Sequence, residues 1–225
     1  MFDKVAIVVA SGTGSRMGTE IPKQFMDLDG KPIVIRTLEK FLSISGCRVI
    51  LTLSEDGMGY WDNLTHDLDM TRLLVVKGGE TRFHSVKNAL NVLDDNSEGV
   101  IAIHDGVRPF VSIQTILNSF VVAHNLGSAV ACVNAKDSIR IIDGEENNAI
   151  DRDKVKLIQT PQAFRFDILK RAYSVDYEAW FTDDASVVEK SGVKIQLIEG
   201  SYSNIKITTP EDLSVAEVLL KSEEF

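Results

Sequence analysis

The sequence predicts an α/β fold: a Rossmann-like, mostly parallel sheet with helices on both faces, plus a protruding β-hairpin arm. Val5 to Ala10 is a continuous apolar run closed by SGTGSRMG, the pattern of a strand buried on both faces that ends in a glycine-rich turn. Four further runs rich in β-branched residues, Arg48 to Leu53, Leu73 to Val76, Val100 to Ile103 and Ala129 to Val133, are separated by segments with helical spacing. Such βαβ alternation places ligands beyond the carboxyl ends of the strands.

Between the strands, Val86, Ala89, Leu90 and Leu93 share one helical face, as do Ile113, Ile116, Leu117 and Phe120, and both sets read as crossover helices. After residue 133 the pattern changes. SIRIIDGEENNAI reads as two short strands around a polar turn, with Asp143 and Gly144 as the turn pair. Its apolar rows are too short for a core of their own, so the arm packs on its own domain or reaches a second subunit. Near the C-terminus, Thr209 caps a last helix, Pro210 suits its first turn, and Asp212 completes a capping box ahead of Leu213, Ala216 and Leu220. The expected organisation is a single domain over 1–225 with an arm at about 134–156.

The 225 residues are 44% hydrophobic and 25% charged, proportions of a globular chain with a sizeable core. A net charge of −9 argues against a nucleic-acid partner, so any phosphate site must be local. No run approaches a membrane span, and MFDKVAIVVASG lacks a basic, cleavable leader; a cytoplasmic protein with no membrane partner is expected. Cys47 and Cys132 lie far apart in apolar segments and read as buried free thiols.

In SGTGSRMG, Gly12 and Gly14 let backbone amides approach a ligand closely, and phosphate is the natural one. Neither familiar phosphate motif fits. A dinucleotide fingerprint from Gly12 needs glycine where Met17 stands, and no Gly-Lys pair follows at P-loop spacing. What the loop does carry is a cation pair, Arg16 and Lys23, with Pro22 stiffening the backbone before the lysine. A solvated loop with incidental charges is the competing reading.

VASGTGSRMG followed by IPKQF resembles the signature loop of nucleotidyltransferases, specifically the cytidylyltransferases that act on methylerythritol phosphate or ribitol phosphate. KGGETRFHSV, HDGVRPF, QTPQAF, TDDASVVE and SNIKITTPEDL agree in order and spacing, so the resemblance covers nearly the whole chain. It implies a nucleotidyltransferase fold, CTP and a polyol phosphate as substrates, and attack of the polyol phosphate oxygen on the α-phosphorus with release of pyrophosphate. Two anions must meet, so the site calls for placed cations more than for a base. Arg16, Lys23 and Lys206 are the expected transition-state stabilisers, although Lys206 also reads as a strand-edge surface lysine. Mg²⁺ is expected, bound mainly through the CTP phosphates, with no protein ligand assigned.

By the same resemblance, Ala10, Ser11, Gly12 and Gly14 belong to the nucleotide site, and Gly78, Gly79 and Ser85 face the cytosine. Asp105 and Arg108 hold the polyol or one another; a purely structural ion pair is the alternative. Ser138 and Arg152 match positions that hold the substrate phosphate from a neighbouring subunit, which implies a homodimer with shared sites. The family usually has threonine where Ser138 stands, which keeps the hydroxyl but fixes its rotamer less. Arg82 and His84 are set aside, His84 as a capping or surface residue. Asp183 and Asp184 look like a paired-carboxylate site, but acidic residues also favour a helix's first turn, and that structural reading is preferred.

The ribitol phosphate enzymes share most of these blocks, but HDGVRPF, VDRDKVKLIQTPQAF and TDDASVVEKSG resemble the methylerythritol phosphate enzymes more, and with them non-mevalonate isoprenoid synthesis. Two other classes compete. A glycosyltransferase needs a DxD-type metal site, where HDGVR offers one aspartate, and a silent nucleotide-binding module needs no set of three cations.

Overall fold

The computed structural model describes residues 2–12, 21–64, 66–94 and 99–222. Strand β1 (Lys4–Ala10) leads, beyond the undescribed part of the glycine loop, to a short 3-10 turn (Lys23–Phe25). A two-stranded ribbon, β2 (Asp27–Leu28) and β3 (Lys31–Pro32), then feeds α1 (Ile33–Leu42). Next come β4 (Cys47–Leu53), α2 (Glu55–Asp62), β5 (Leu73–Lys77), α3 (Arg82–Asn91), β6 (Val100–Asp105), α4 (Ile113–Leu126) and β7 (Ser128–Asn134). The arm is β8 (Ile139–Asp143) and β9 (Glu146–Ile150). It returns through β10 (Lys156–Arg165) to α5 (Phe166–Ala172), α6 (Asp184–Lys190), β11 (Leu197–Glu199) and α7 (Pro210–Lys221).

The main sheet has the order β11-β7-β10-β6-β1-β4-β5. All neighbours are parallel except β10, which runs against both β6 and β7. From β1 the chain moves one way to β4 and β5, then returns to lay β6 on the other side. The crevice between β1 and β6 is therefore the switch point where such sheets bind ligands.

The two-residue period of a strand divides β1 between two cores. Ala6, Val8 and Ala10 face Leu38, Phe41 and Phe120, from α1 and α4, whereas Val5 and Ile7 face Phe83, Val86, Leu90 and Phe164. Both faces are covered, as the unbroken apolar runs require. A third cluster seats α7 through Ala216 against Leu28, Val107, Phe110 and Ile207. The capping box of Thr209 and Asp212 forms as expected.

Two local expectations are corrected. Asp143 pairs with Glu146, so the hairpin turn is Gly144-Glu145, and Gly144 (φ 58°) occupies the positive-φ position. In α4 the buried face is Ile116, Ser119, Phe120 and Ala123, while Ile113 and Leu117 lie at its edge, more than a third exposed. Ser119 and Ala123 are small enough to let the helix lie close to the sheet beside the fully buried Ile116 and Phe120. Cys47 and Cys132 are buried free thiols.

Candidate active site

Ser11 and Gly12 leave the end of β1, and Asp105 ends β6 beside them. With Ala10, Lys23, Gly79, Arg82, Thr182 and Lys206 they line a cleft of about 350 Å³. A hollow of about 250 Å³ adjoins it, sharing Arg82, Asp105, Thr182 and Lys206 and adding Arg108 and Thr160. The expected site residues Ala10, Ser11, Gly12, Lys23, Gly79, Asp105, Arg108 and Lys206 are thus brought together from five separate stretches of chain.

Each is held by identifiable contacts. Gln24, almost fully buried, donates from Nε2 to the carbonyls of Ala10 (2.8 Å) and Gly12 (3.4 Å), which ties the start of the glycine loop to the turn carrying Lys23. Ser11 and Ser85 share a hydroxyl hydrogen bond of 2.7 Å. Ser85 also accepts the Gly79 N–H at 3.0 Å and can donate to the Thr81 carbonyl. Ser85 is fully buried and sits behind the cleft wall, where it joins the loops after β1 and β5. A Cβ on Gly78 would come within 2.5 Å of the Ser11 Cβ, so this glycine is what lets the two loops touch.

Asp105 is the electrostatic centre. Arg82 Nη1 donates to its Oδ1 at 2.5 Å, Arg108 Nε to its Oδ2 at 3.0 Å, and Lys206 Nζ lies 3.2 Å from Oδ2. Burial alone would raise its pKa, but these three cations hold it well below the usual carboxylate range. It is a fixed anion and not a base. Arg108 also donates to the Asn204 carbonyl at 2.7 Å, so it binds the far C-terminal segment to the β6 turn. Lys206 stands beside Asp105 in the cleft and not on a strand edge.

Arg82, set aside in the sequence, lines both the cleft and the hollow. It opens α3, and beyond Asp105 it reaches the fully buried Asp184, which accepts at 2.7 Å and in turn accepts the Tyr173 hydroxyl at 2.7 Å. A cation in the first turn of a helix opposes the helix dipole, and that was the available signal that it needed a buried partner. Asp183 caps α6, accepts from Gln162 and also lines the hollow, while Asp184 lies in the first turn of α6. His84 lies in the first turn of α3 against the capping Thr81.

Arg16 and Gly14 fall outside the described residues. Ser138 and Arg152 do not line the cleft. They sit at the root of the exposed arm, where Arg152 donates to the Lys136 carbonyl at 2.8 Å.

Residues 4–222 match the model of the IspD family, 2-C-methyl-D-erythritol 4-phosphate cytidylyltransferase. The chain belongs to that family. A relative from Bacteroides fragilis with the same description is 45% identical over 220 residues, covering 96% of this chain and 99% of its own. One from Clostridium novyi is 40% identical, covering 99% and 98%. Among solved structures, the Francisella tularensis family member is 33% identical with a TM-score of 0.81, covering 96% of this chain and 99% of its own. The 4-diphosphocytidyl-2C-methyl-D-erythritol synthase of Anaerococcus prevotii reaches a TM-score of 0.84 at 29% identity, covering 98% and 96%. As a member of this family the chain is an enzyme, a cytidylyltransferase with a nucleotidyltransferase-like α/β fold.

Proposed function

We propose that the cleft transfers CMP from CTP to 2-C-methyl-D-erythritol 4-phosphate, releasing pyrophosphate, and that Lys23 and Lys206, with Arg16, supply the charge that makes the transfer possible. The observation that carries this is the convergence of Ser11, Gly12, Lys23, Gly79 and Lys206 on one cleft at the switch point of the sheet. The nucleotide lies along the loop after β1, with its base against Gly79 and Ser11, backed by Gly78 and Ser85. Its triphosphate extends toward Lys23. The polyol phosphate occupies the adjoining hollow beside Asp105 and Arg108.

The attacking phosphate oxygen is already ionised at neutral pH, so no base is needed. Cations held near the α-phosphate offset the repulsion and stabilise the charge that develops on its oxygens. Asp105 offers about four lone-pair sites, of which the three cations take three, leaving one to accept a polyol hydroxyl.

Mg²⁺ belongs to the same proposal as a partner of the triphosphate. Both Asp105 oxygens already face cations, and among the described residues no three His, Cys, Asp or Glu side chains gather into a metal site. In this reading CTP oxygens would hold the ion, with the Asp105 carboxylate lining the same cleft.

We also assign the arm to a homodimer, in which Ser138 and Arg152 reach the substrate phosphate of the neighbouring subunit. The exposed arm residues Ile141 (54%) and Ile142 (69%) support this, because a partner would cover them. No described helix is long and apolar enough to cross a membrane, and a cytoplasmic location belongs to this proposal.

The test is pyrophosphate release with CTP and Mg²⁺, comparing 2-C-methyl-D-erythritol 4-phosphate with ribitol 5-phosphate at equal concentration. Preference for the former is expected. Preference for the latter moves the substrate and keeps the site, and release with neither overturns the proposal. Lys23→Ala is expected to lower turnover far more than CTP affinity; an equal loss in both would remove Lys23 from the transition state.

A further inference from the structure

We infer that His104, a fully buried side chain outside the cleft, is a positioning residue that fixes the Asp105–Arg108 turn through a hydrogen bond from its Nε2 to the Arg108 carbonyl. The two atoms are 3.1 Å apart. A carbonyl only accepts, so Nε2 carries the proton. Nδ1, 3.0 Å from Thr160 Oγ1, is then the acceptor of the Thr160 hydroxyl. That hydroxyl oxygen in turn accepts the Asp105 N–H at 3.0 Å. One ring thus joins the first and last residues of the turn, through β10 on one side and directly on the other.

The remaining backbone of the turn is pinned as well. The Gly106 N–H donates to the Val9 carbonyl at 2.8 Å, the Thr37 hydroxyl to the Gly106 carbonyl at 3.0 Å, and the Ile207 N–H to the Val107 carbonyl at 3.0 Å. Of these ties, the one from His104 meets the residue whose side chain holds Asp105. Burial keeps the ring neutral, with its pKa lowered to about 4, which preserves this order of donors and acceptors. Phe41 packs against the ring at 5.0 Å between centroids, so a phenylalanine at 104 keeps an aromatic contact with it and makes neither hydrogen bond.

This inference rests on the reading that Arg108 and Asp105 serve the polyol phosphate. The experiment compares His104→Phe, His104→Gln, Arg108→Ala and the Phe/Ala double variant, with KM for each substrate measured separately and thermal melts as a fold control. His104→Phe should raise KM for the polyol phosphate about tenfold, the scale of losing buried hydrogen bonds, and leave KM for CTP within about twofold. His104→Gln, which can still donate to the carbonyl, should recover most of the loss, and the double variant should be less than additive. If Arg108→Ala raises KM for the polyol phosphate and His104→Phe does not, or if both KM values rise alike, the inference falls alone. If Arg108→Ala leaves that KM unchanged, the substrate assignment falls and takes the inference with it.

Discussion

Replacing Arg82 by leucine tests the charge arrangement behind the cleft. Arg82 bridges Asp105 and Asp184, and the loss is unequal at its two ends. Asp105 keeps Arg108 and Lys206, whereas Asp184, with 0% of its side chain exposed, keeps the Tyr173 hydroxyl. Removing one partner of a buried pair typically costs 3–5 kcal/mol, and because the Arg82 side chain is 24% exposed the low end applies, about 3 kcal/mol. For a chain of this size, with a urea m-value of about 3 kcal/mol/M, the unfolding midpoint should fall by about 1 M. The assay is urea denaturation followed by circular dichroism, repeated in an Asp184→Asn background. There the uncompensated charge is gone, and the same change should cost only about 1 kcal/mol. A midpoint shift below about 0.3 M, or an equal cost in both backgrounds, would refute the assignment of Asp184 as the dependent charge.

Gly78→Ala should raise KM for CTP without unfolding the protein, because the new methyl group displaces Ser11 at the cleft wall; unchanged CTP kinetics would show that the two loops separate freely. His104 gives an acid-side signature. With a folded pKa of about 4 against 6.5 unfolded, the unfolded chain binds more protons between these values, so stability is complete above pH 6.5 and declines toward pH 4. The full decline is about 3 kcal/mol, and His104→Phe should remove that part of the slope in a series of urea melts. Burial pushes the Cys47 thiol up to about 12, so a thiol reagent at pH 8 should leave Cys47 unmodified until the protein is denatured.

The parts of the fold that could be read from sequence were those where one physical demand dominates. β1, β4, β6 and β7 are buried on both faces and, like the edge strand β5 with its exposed Leu74, show as apolar runs within one or two residues of their observed ends. β10 was hidden, because Pro161 interrupts its pattern; in the structure the proline sits where the pairing with β7 shifts register. The site followed a similar division. Gly12, Gly79 and Asp105 lie at or within two residues of strand ends, and Lys23 opens the short turn beyond the glycine loop, so local pattern and family resemblance together single them out. The place of Arg82 on the cleft wall depends on Asp184, 102 residues away, and on burial that local sequence does not display. Ser85, which the resemblance sets at the cytosine, ties Ser11 to Gly79 through its hydroxyl, a link between two loops that local sequence does not display.

The arm leaves β7 at Asn134 and re-enters the sheet at Lys156, and these two residues are register partners. Exit and entry are therefore neighbours, and everything between them is a closed excursion from the sheet. In engineering terms this is a detachable cassette. Residues 135–155 can be replaced by a short turn at little loop-closure cost, leaving β7 and β10 paired. The same two positions are the natural seams for exchanging arms between relatives, which would separate what the arm contributes from what the sheet holds.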